Sequence, residues 1–67
     1  MKQENYKVKW SSDGSLAKSQ ESNVIHHLGE AQDLARTLIP YNRSVNILKE
    51  DGFPLNKGKF FLYLIMH

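Results

Sequence analysis

The fold is decided by the stretch Glu30-Ala31-Gln32-Asp33-Leu34-Ala35-Arg36-Thr37-Leu38-Ile39-Pro40. Its apolar residues recur at i, i+3, i+4, i+7 and i+8, which is the spacing of one stripe along an α-helix. Pro40 has no backbone amide and disfavours helical geometry at Ile39, so we expect the helix to end at Ile39. The other segments of the 67-residue chain have patterns typical of strands and turns. The chain therefore predicts an α+β fold in which one helix packs on a sheet.

The segment before the helix predicts two strands. Residues 6–10 alternate between apolar or aromatic side chains and lysines, which is the period of a half-buried strand. Asp13-Gly14 then favours a turn, because glycine accepts a positive φ at little cost. Residues 16–21 are nearly polar and could form either an edge strand or a loop.

Residues 23–28 fit two interpretations. Their β-branched residues suit a second strand, but the same residues could extend the helix backwards from an Asn23 N-cap. Gly29 disfavours that extension, because glycine inside a helix costs about 1 kcal/mol relative to alanine. A strand followed by a helix that begins near Gly29 is the favoured prediction.

The segment after the helix predicts two more strands. Residues 44–50 place Val45 and Ile47 on one face, and Asp51-Gly52 then favours a turn. A loop is expected over residues 53–58, because Pro54 cannot donate to a central ladder. Residues 60–66 are apolar throughout, which predicts a strand covered on both faces. The result is one domain over residues 1–67, with the order β-β-α-β-β and an antiparallel sheet of three to four strands.

Composition limits the classes of function. The chain has no cysteine, so disulfides and thiolate metal sites are excluded, and its net charge of +2 is a thin basis for nucleic-acid binding. The N-terminal residues contain no apolar signal-peptide core, and the longest apolar run, residues 60–66, is too short to span a bilayer. We therefore expect a cytoplasmic protein that does not insert into membranes.

The middle of the chain resembles a group of short, uncharacterised bacterial domains. These share an aromatic first strand, an E-A-x-x-L-A-R-like helix and a V-x-I-x-x-x-D-G strand and turn. The matching residues here are Tyr6 to Trp10, Glu30-Ala31, Leu34-Ala35-Arg36, Val45, Ile47 and Asp51-Gly52. The resemblance covers roughly two thirds of the chain and departs at the apolar C-terminal strand. It implies the β-β-α-β-β topology, and no biochemical function or site residue comes with it.

The side chains that could carry chemistry have simpler explanations. His26 and His27 are adjacent, so on a strand they point to opposite faces and cannot chelate one ion together. Glu30 and Asp33 lie in the first turns of the helix, where carboxylates suit the helix dipole. No nucleophile elbow or glycine-rich phosphate loop is present in the sequence. We therefore expect no catalytic activity, no cofactor and no metal site.

The sheet face that the helix leaves uncovered is the candidate interaction surface. If Phe60, Leu62, Leu64 and Met66 face the helix, the uncovered face carries Lys7, Lys9, Leu48, Phe61, Tyr63 and Ile65. The sequence does not determine which face of the last strand points inward, but either choice leaves several large apolar side chains uncovered. A monomer rarely exposes such a patch to water.

Three hypotheses follow for this surface. The leading one is a homo-oligomer that forms through the sheet face or a strand edge. The second is single-stranded nucleic-acid binding, in which Phe61 or Tyr63 stacks on bases while Lys7 and Lys9 contact phosphates. The third is a small regulator that docks on a partner protein.

Overall fold

The computed structural model describes residues 4–50 and 58–66. In these two ranges the elements follow the order β1 (Tyr6–Ser11), β2 (Gln20–Glu21), α1 (Leu28–Leu38), β3 (Ser44–Glu50) and β4 (Phe60–Met66). Two short 3-10 helices lie at Leu16–Lys18 and Ile39–Tyr41. The predicted α+β class and the β-β-α-β-β order are confirmed. The predicted Asp51-Gly52 turn and all of the predicted 53–58 loop except Gly58 lie outside the described residues.

The four strands form one antiparallel sheet in the order β2-β1-β3-β4. Strand β3 pairs with β1 over the whole length of β1, from Tyr6 opposite Lys49 to Ser11 opposite Ser44. Helix α1 joins β2 to β3 and lets the chain cross to the other side of β1. Strands β1 and β3 are therefore central, while β2 and β4 are the two edges.

The core lies between α1 and the two central strands. Ala31 and Ala35 of the helix are fully buried, and so are Val8 and Ile47 in β1 and β3. These alanines lie on the predicted stripe, and their small side chains allow the helix axis to approach the sheet closely. We call the side of the sheet that carries α1 the helix face, and the opposite side the open face.

The second strand is not where the sequence predicted it. Strand β2 comprises Gln20 and Glu21, within the segment for which an edge strand was one of two alternatives. Residues 23–28 form neither a strand nor a long helix. Ile25 makes a single bridge with Tyr6, in which each backbone amide donates to the other residue's carbonyl at 2.7 Å.

Helix α1 begins at Leu28 and includes Gly29 in its first turn. Gly29 thus lies at the N-terminal end of the helix, outside the interior positions at which glycine costs about 1 kcal/mol relative to alanine. His27 is the N-cap and makes no side-chain hydrogen bond to the helix. The α-helix ends at Leu38, one residue before the predicted end. The chain then continues as a 3-10 helix through Pro40, whose missing amide is tolerated in the first turn.

The position of β4 corrects another prediction. Its apolar run predicted a strand covered on both faces, but Phe61, Leu62, Tyr63 and Ile65 are all about half exposed. Strand β4 pairs only with β3 among the described strands and forms an edge of the sheet. Apolar composition alone does not fix the place of a strand in the sheet, because long-range pairing decides which strands become central.

Candidate interaction surface

A β-bulge in β4 decides which of its side chains lie on each face. Ile47 lies opposite Leu64, but the next residue of β3, Leu48, lies opposite Leu62. Tyr63 is thus the extra residue, so the even-numbered residues before it and those after it lie on opposite faces of the sheet. Directly opposed residues share a face. Leu64 therefore lies on the helix face with Ile47, while Leu62 lies on the open face with Leu48.

The bulge moves two of the predicted interface residues. Lys7, Lys9, Leu48 and Ile65 lie on the open face, where the sequence analysis placed them. Phe61 lies opposite Lys49 on the helix face, and Tyr63 also lies on that face. The open face carries Phe60 and Leu62 in their place. Strict alternation along the strand gave the wrong assignment for these four residues, and no glycine or proline within residues 60–66 marks the bulge.

Tyr63 connects the edge strand to the core. Its ring centroid lies 5.8 Å from that of the buried Tyr6, and the two ring planes are inclined by 60°. The Lys49 ammonium lies 5.3 Å from the Tyr63 ring centroid and 3.3 Å from a Glu4 carboxylate oxygen. The hydrogen bond and charge of Glu4 raise the pKa of Lys49 above its ordinary value. Tyr63 is thus packed on one side and exposed on the other.

The two lysines of the open face differ in their partners. The Lys7 Nζ atom lies 4.8 Å from the Phe60 ring centroid and 3.9 Å from a Glu21 carboxylate oxygen. Lys9 makes no ion pair with any residue in the described ranges. Only one of the two ammonium groups is therefore available to an added anion without losing an existing contact.

Strand β4 concentrates the exposed apolar surface. Four large apolar side chains of this strand are about half exposed: Phe61 at 49%, Leu62 at 58%, Tyr63 at 48% and Ile65 at 54%. We call these four residues the β4 edge surface. Phe61 and Tyr63 lie on the helix face, and Leu62 and Ile65 lie on the open face. No charged residue interrupts the strand from Phe60 to Met66.

A shallow concavity lies on the open face beside this edge. Its volume is about 210 Å³, below the roughly 300 Å³ at which small-molecule sites usually begin. Lys9, Asn46, Leu48 and Leu62 contribute to its lining, and the loop after β1 forms one wall. The concavity is therefore small for a typical small-molecule site.

The loop that forms one wall of this concavity is held in place by hydrogen bonds to the Asp13 carboxylate. The Ser15 amide donates to its carboxylate at 2.8 Å, and the Ser11 hydroxyl lies 3.0 Å away. These bonds, led by the Ser15 amide, lower the pKa of Asp13 below its ordinary value. Gly14 adopts a φ of 81° in the same turn, as the Asp-Gly pair predicted. The wall is therefore a defined structure built from local hydrogen bonds.

His26 and the helix residue Asp33 make local contacts away from this surface. The His26 Nδ1 atom lies 2.9 Å from the Asn5 side-chain oxygen, and Asp33 pairs with Arg36 at 3.0 Å. Within residues 4–50 and 58–66, no three histidine, aspartate or glutamate side chains are close enough to hold a metal ion. In the same ranges no helix is long and apolar enough to cross a membrane.

In comparisons with known proteins, no protein-family model, no curated protein and no solved structure matches the chain. The resemblance to short bacterial domains therefore stays a prediction. What the chain does has to be argued from its own surface.

Proposed function

We propose that this protein is a small, non-catalytic assembly domain that self-associates through its last strand. The observation that carries the proposal is the concentration of exposed apolar side chains in β4. Of the large apolar side chains described as exposed, four belong to this one strand, and only Val24 and Tyr41 lie elsewhere. Single exposed apolar residues are normal on a protein surface, whereas a contiguous group points to an interface.

The area of this group suits a weak dimer. Each of the four side chains leaves roughly 100 Å² in contact with water, so two copies joined here would cover on the order of 800 Å² of side chain. The main chain and neighbouring side chains add to this figure. Specific interfaces bury about 1,200 Å² or more in total, and the weakest ones lie below that value. We therefore expect an association that depends on concentration in the micromolar range.

Single-stranded nucleic acid is the competing occupant, because Lys7, Lys9 and the aromatic Phe60 share the open face. Base stacking requires a free ring face, but the Lys7 ammonium already lies over Phe60 and contacts Glu21. Phe61 and Tyr63, the two aromatic residues expected to stack on bases, lie on the opposite side of the sheet. A nucleic acid would have to break the contacts of Lys7 with Phe60 and Glu21 before a base could stack on Phe60. We therefore favour self-association over nucleic-acid binding.

Light scattering over a dilution series tests the proposal. We expect the mean mass at tens of micromolar to approach that of two chains and to fall on dilution. A strict monomer across the series would contradict the proposal. A gel shift with mixed-sequence single-stranded oligonucleotides at low salt forms the second arm. A shift that disappears as salt is added, from a protein that stays monomeric, would support the nucleic-acid alternative.

A further inference from the structure

We infer that the second copy binds along the free edge of β4, the edge that pairs with no other described strand, antiparallel to it, so that the two four-stranded sheets become one continuous sheet of eight strands. This inference rests on the proposed self-association and names its geometry. The occupant is a second copy of the chain, and the surface that it covers is the β4 edge surface. The alternative geometry is a face-to-face dimer in which the two open faces stack.

The distribution of exposed side chains over both faces is the first argument. Phe61 and Tyr63 are exposed on the helix face, and Leu62 and Ile65 are exposed on the open face. A partner stacked on the open face would cover only the second pair. A strand added at the edge has side chains on both faces, so it can contact all four residues at once.

The position of the charges is the second argument. Lys7 and Lys9 lie on β1, which is separated from β4 by β3. Neighbouring strands are about 4.8 Å apart, so the backbones of these lysines lie two strand spacings from β4 and farther from a strand added beyond it, although the Lys7 ammonium reaches the Phe60 ring. Stacking two open faces would move both lysines of each copy away from water, at a cost that weak apolar contacts do not offset. Edge pairing does not stack a partner over the lysines of either copy.

The chemistry of β4 is the third argument, and it selects a second β4 as the occupant. Edge strands are commonly protected from pairing by charged residues, by proline, by β-bulges or by being short, and of these devices β4 has only the bulge at Tyr63. Strand β4 has seven residues, with no charged residue and no proline among them. An antiparallel copy places apolar side chains opposite apolar side chains. The other edge, β2, has only the polar pair Gln20–Glu21 and cannot offer an equivalent ladder.

The test places one carboxylate on each face of β4. Phe61→Glu acts on the helix face and Leu62→Glu on the open face. Phe61 lies opposite Lys49, so the new carboxylate has a cationic neighbour in the monomer. Tyr41→Glu is the matched control, because Tyr41 is 80% exposed and lies on the second 3-10 helix.

We expect both β4 variants to raise the dimer dissociation constant by at least about tenfold, because each removes a large apolar side chain from the interface between the two β4 strands and adds a charge there. Tyr41→Glu should leave it unchanged. Sedimentation velocity over a dilution series measures the constant, and circular dichroism checks that each variant is folded. If one variant unfolds, Phe61→Gln and Leu62→Gln are judged by the same criterion.

The outcomes separate this inference from the proposed function. Loss of association in Leu62→Glu but not in Phe61→Glu would overturn edge pairing in favour of stacked open faces, and self-association would stand. The reverse pattern would also overturn it, in favour of contact on the helix face alone. A wild-type chain that is monomeric throughout would remove both proposals, and equal losses in the two β4 variants would support both.

Discussion

The central strand β3 and the edge strand β4 lie side by side, yet their apolar residues have opposite environments. Ile47 of β3 is fully buried, whereas Ile65 of β4 is 54% exposed. The difference arises from position, because β3 has a strand on each side and α1 above it, while β4 has β3 as its one neighbour among the described strands. The most apolar strand of the sequence is thus one of the least covered. The core stabilises the fold, and the surplus apolar surface is available for association.

The largest expected effect comes from shortening the two isoleucines. Ile47→Ala should lower the free energy of unfolding by about 2–5 kcal/mol, because it leaves a cavity beneath the helix. Ile65→Ala should lower it by less than about 1 kcal/mol, since half of the side chain already contacts water. Chemical denaturation at a concentration where the chain is monomeric measures both values.

In an association assay, the variant with the smaller effect on stability should have the larger effect on the dimer dissociation constant. Ile65→Ala should weaken the dimer, while Ile47→Ala, at a temperature where it remains folded, should leave the dissociation constant nearly unchanged. Equal losses of stability in the two variants would contradict the division into a buried centre and an exposed edge.

A smaller effect is expected where the two regions meet, at the pair formed by Tyr6 and Tyr63. Tyr63→Leu should cost about 0.5–1.5 kcal/mol, because it removes an inclined aromatic pair and the ring beneath the Lys49 ammonium. Phe61→Leu is the matched control, since Phe61 is equally exposed and contacts no aromatic ring in the described ranges.

The readout for this pair is thermal or chemical unfolding of the monomer. Phe61→Leu should cost less than about 0.5 kcal/mol. A double-mutant cycle with Tyr6→Leu isolates the ring contact from the general loss of apolar area. A coupling free energy near zero would show that Tyr63 is not anchored to the core through Tyr6.

Local patterns were sufficient to predict much of the fold. The helix stripe is visible because the same face meets the sheet every three or four residues, and Ala31 and Ala35 are indeed its buried members. Alternation along residues 6–10 predicted β1, because every second side chain of a strand lies on the same face of the sheet. The second strand was misplaced because β2 is only two polar residues long, and such a strand leaves no periodic signal.

The candidate surface could be predicted only in part. Four of the six residues expected on the open face, namely Lys7, Lys9, Leu48 and Ile65, lie there, because β1 and β3 alternate regularly and Ile65 lies on the C-terminal side of the bulge in β4. Phe61 and Tyr63 do not, because the extra residue in β4 depends on how that strand pairs with β3. The edge position of β4 likewise depends on long-range pairing, and this position is what leads to the proposal of edge association.

Amide hydrogen exchange in β4 tests the central claim most directly. We compare a dilute, monomeric sample with one concentrated enough for light scattering to report association. Edge pairing predicts that the β4 amides pointing away from β3 exchange more slowly in the concentrated sample, while the amides of Gln20 and Glu21 at the other edge do not change. If the β4 amides exchange at the same rate in both samples, the free edge is not where the second copy binds.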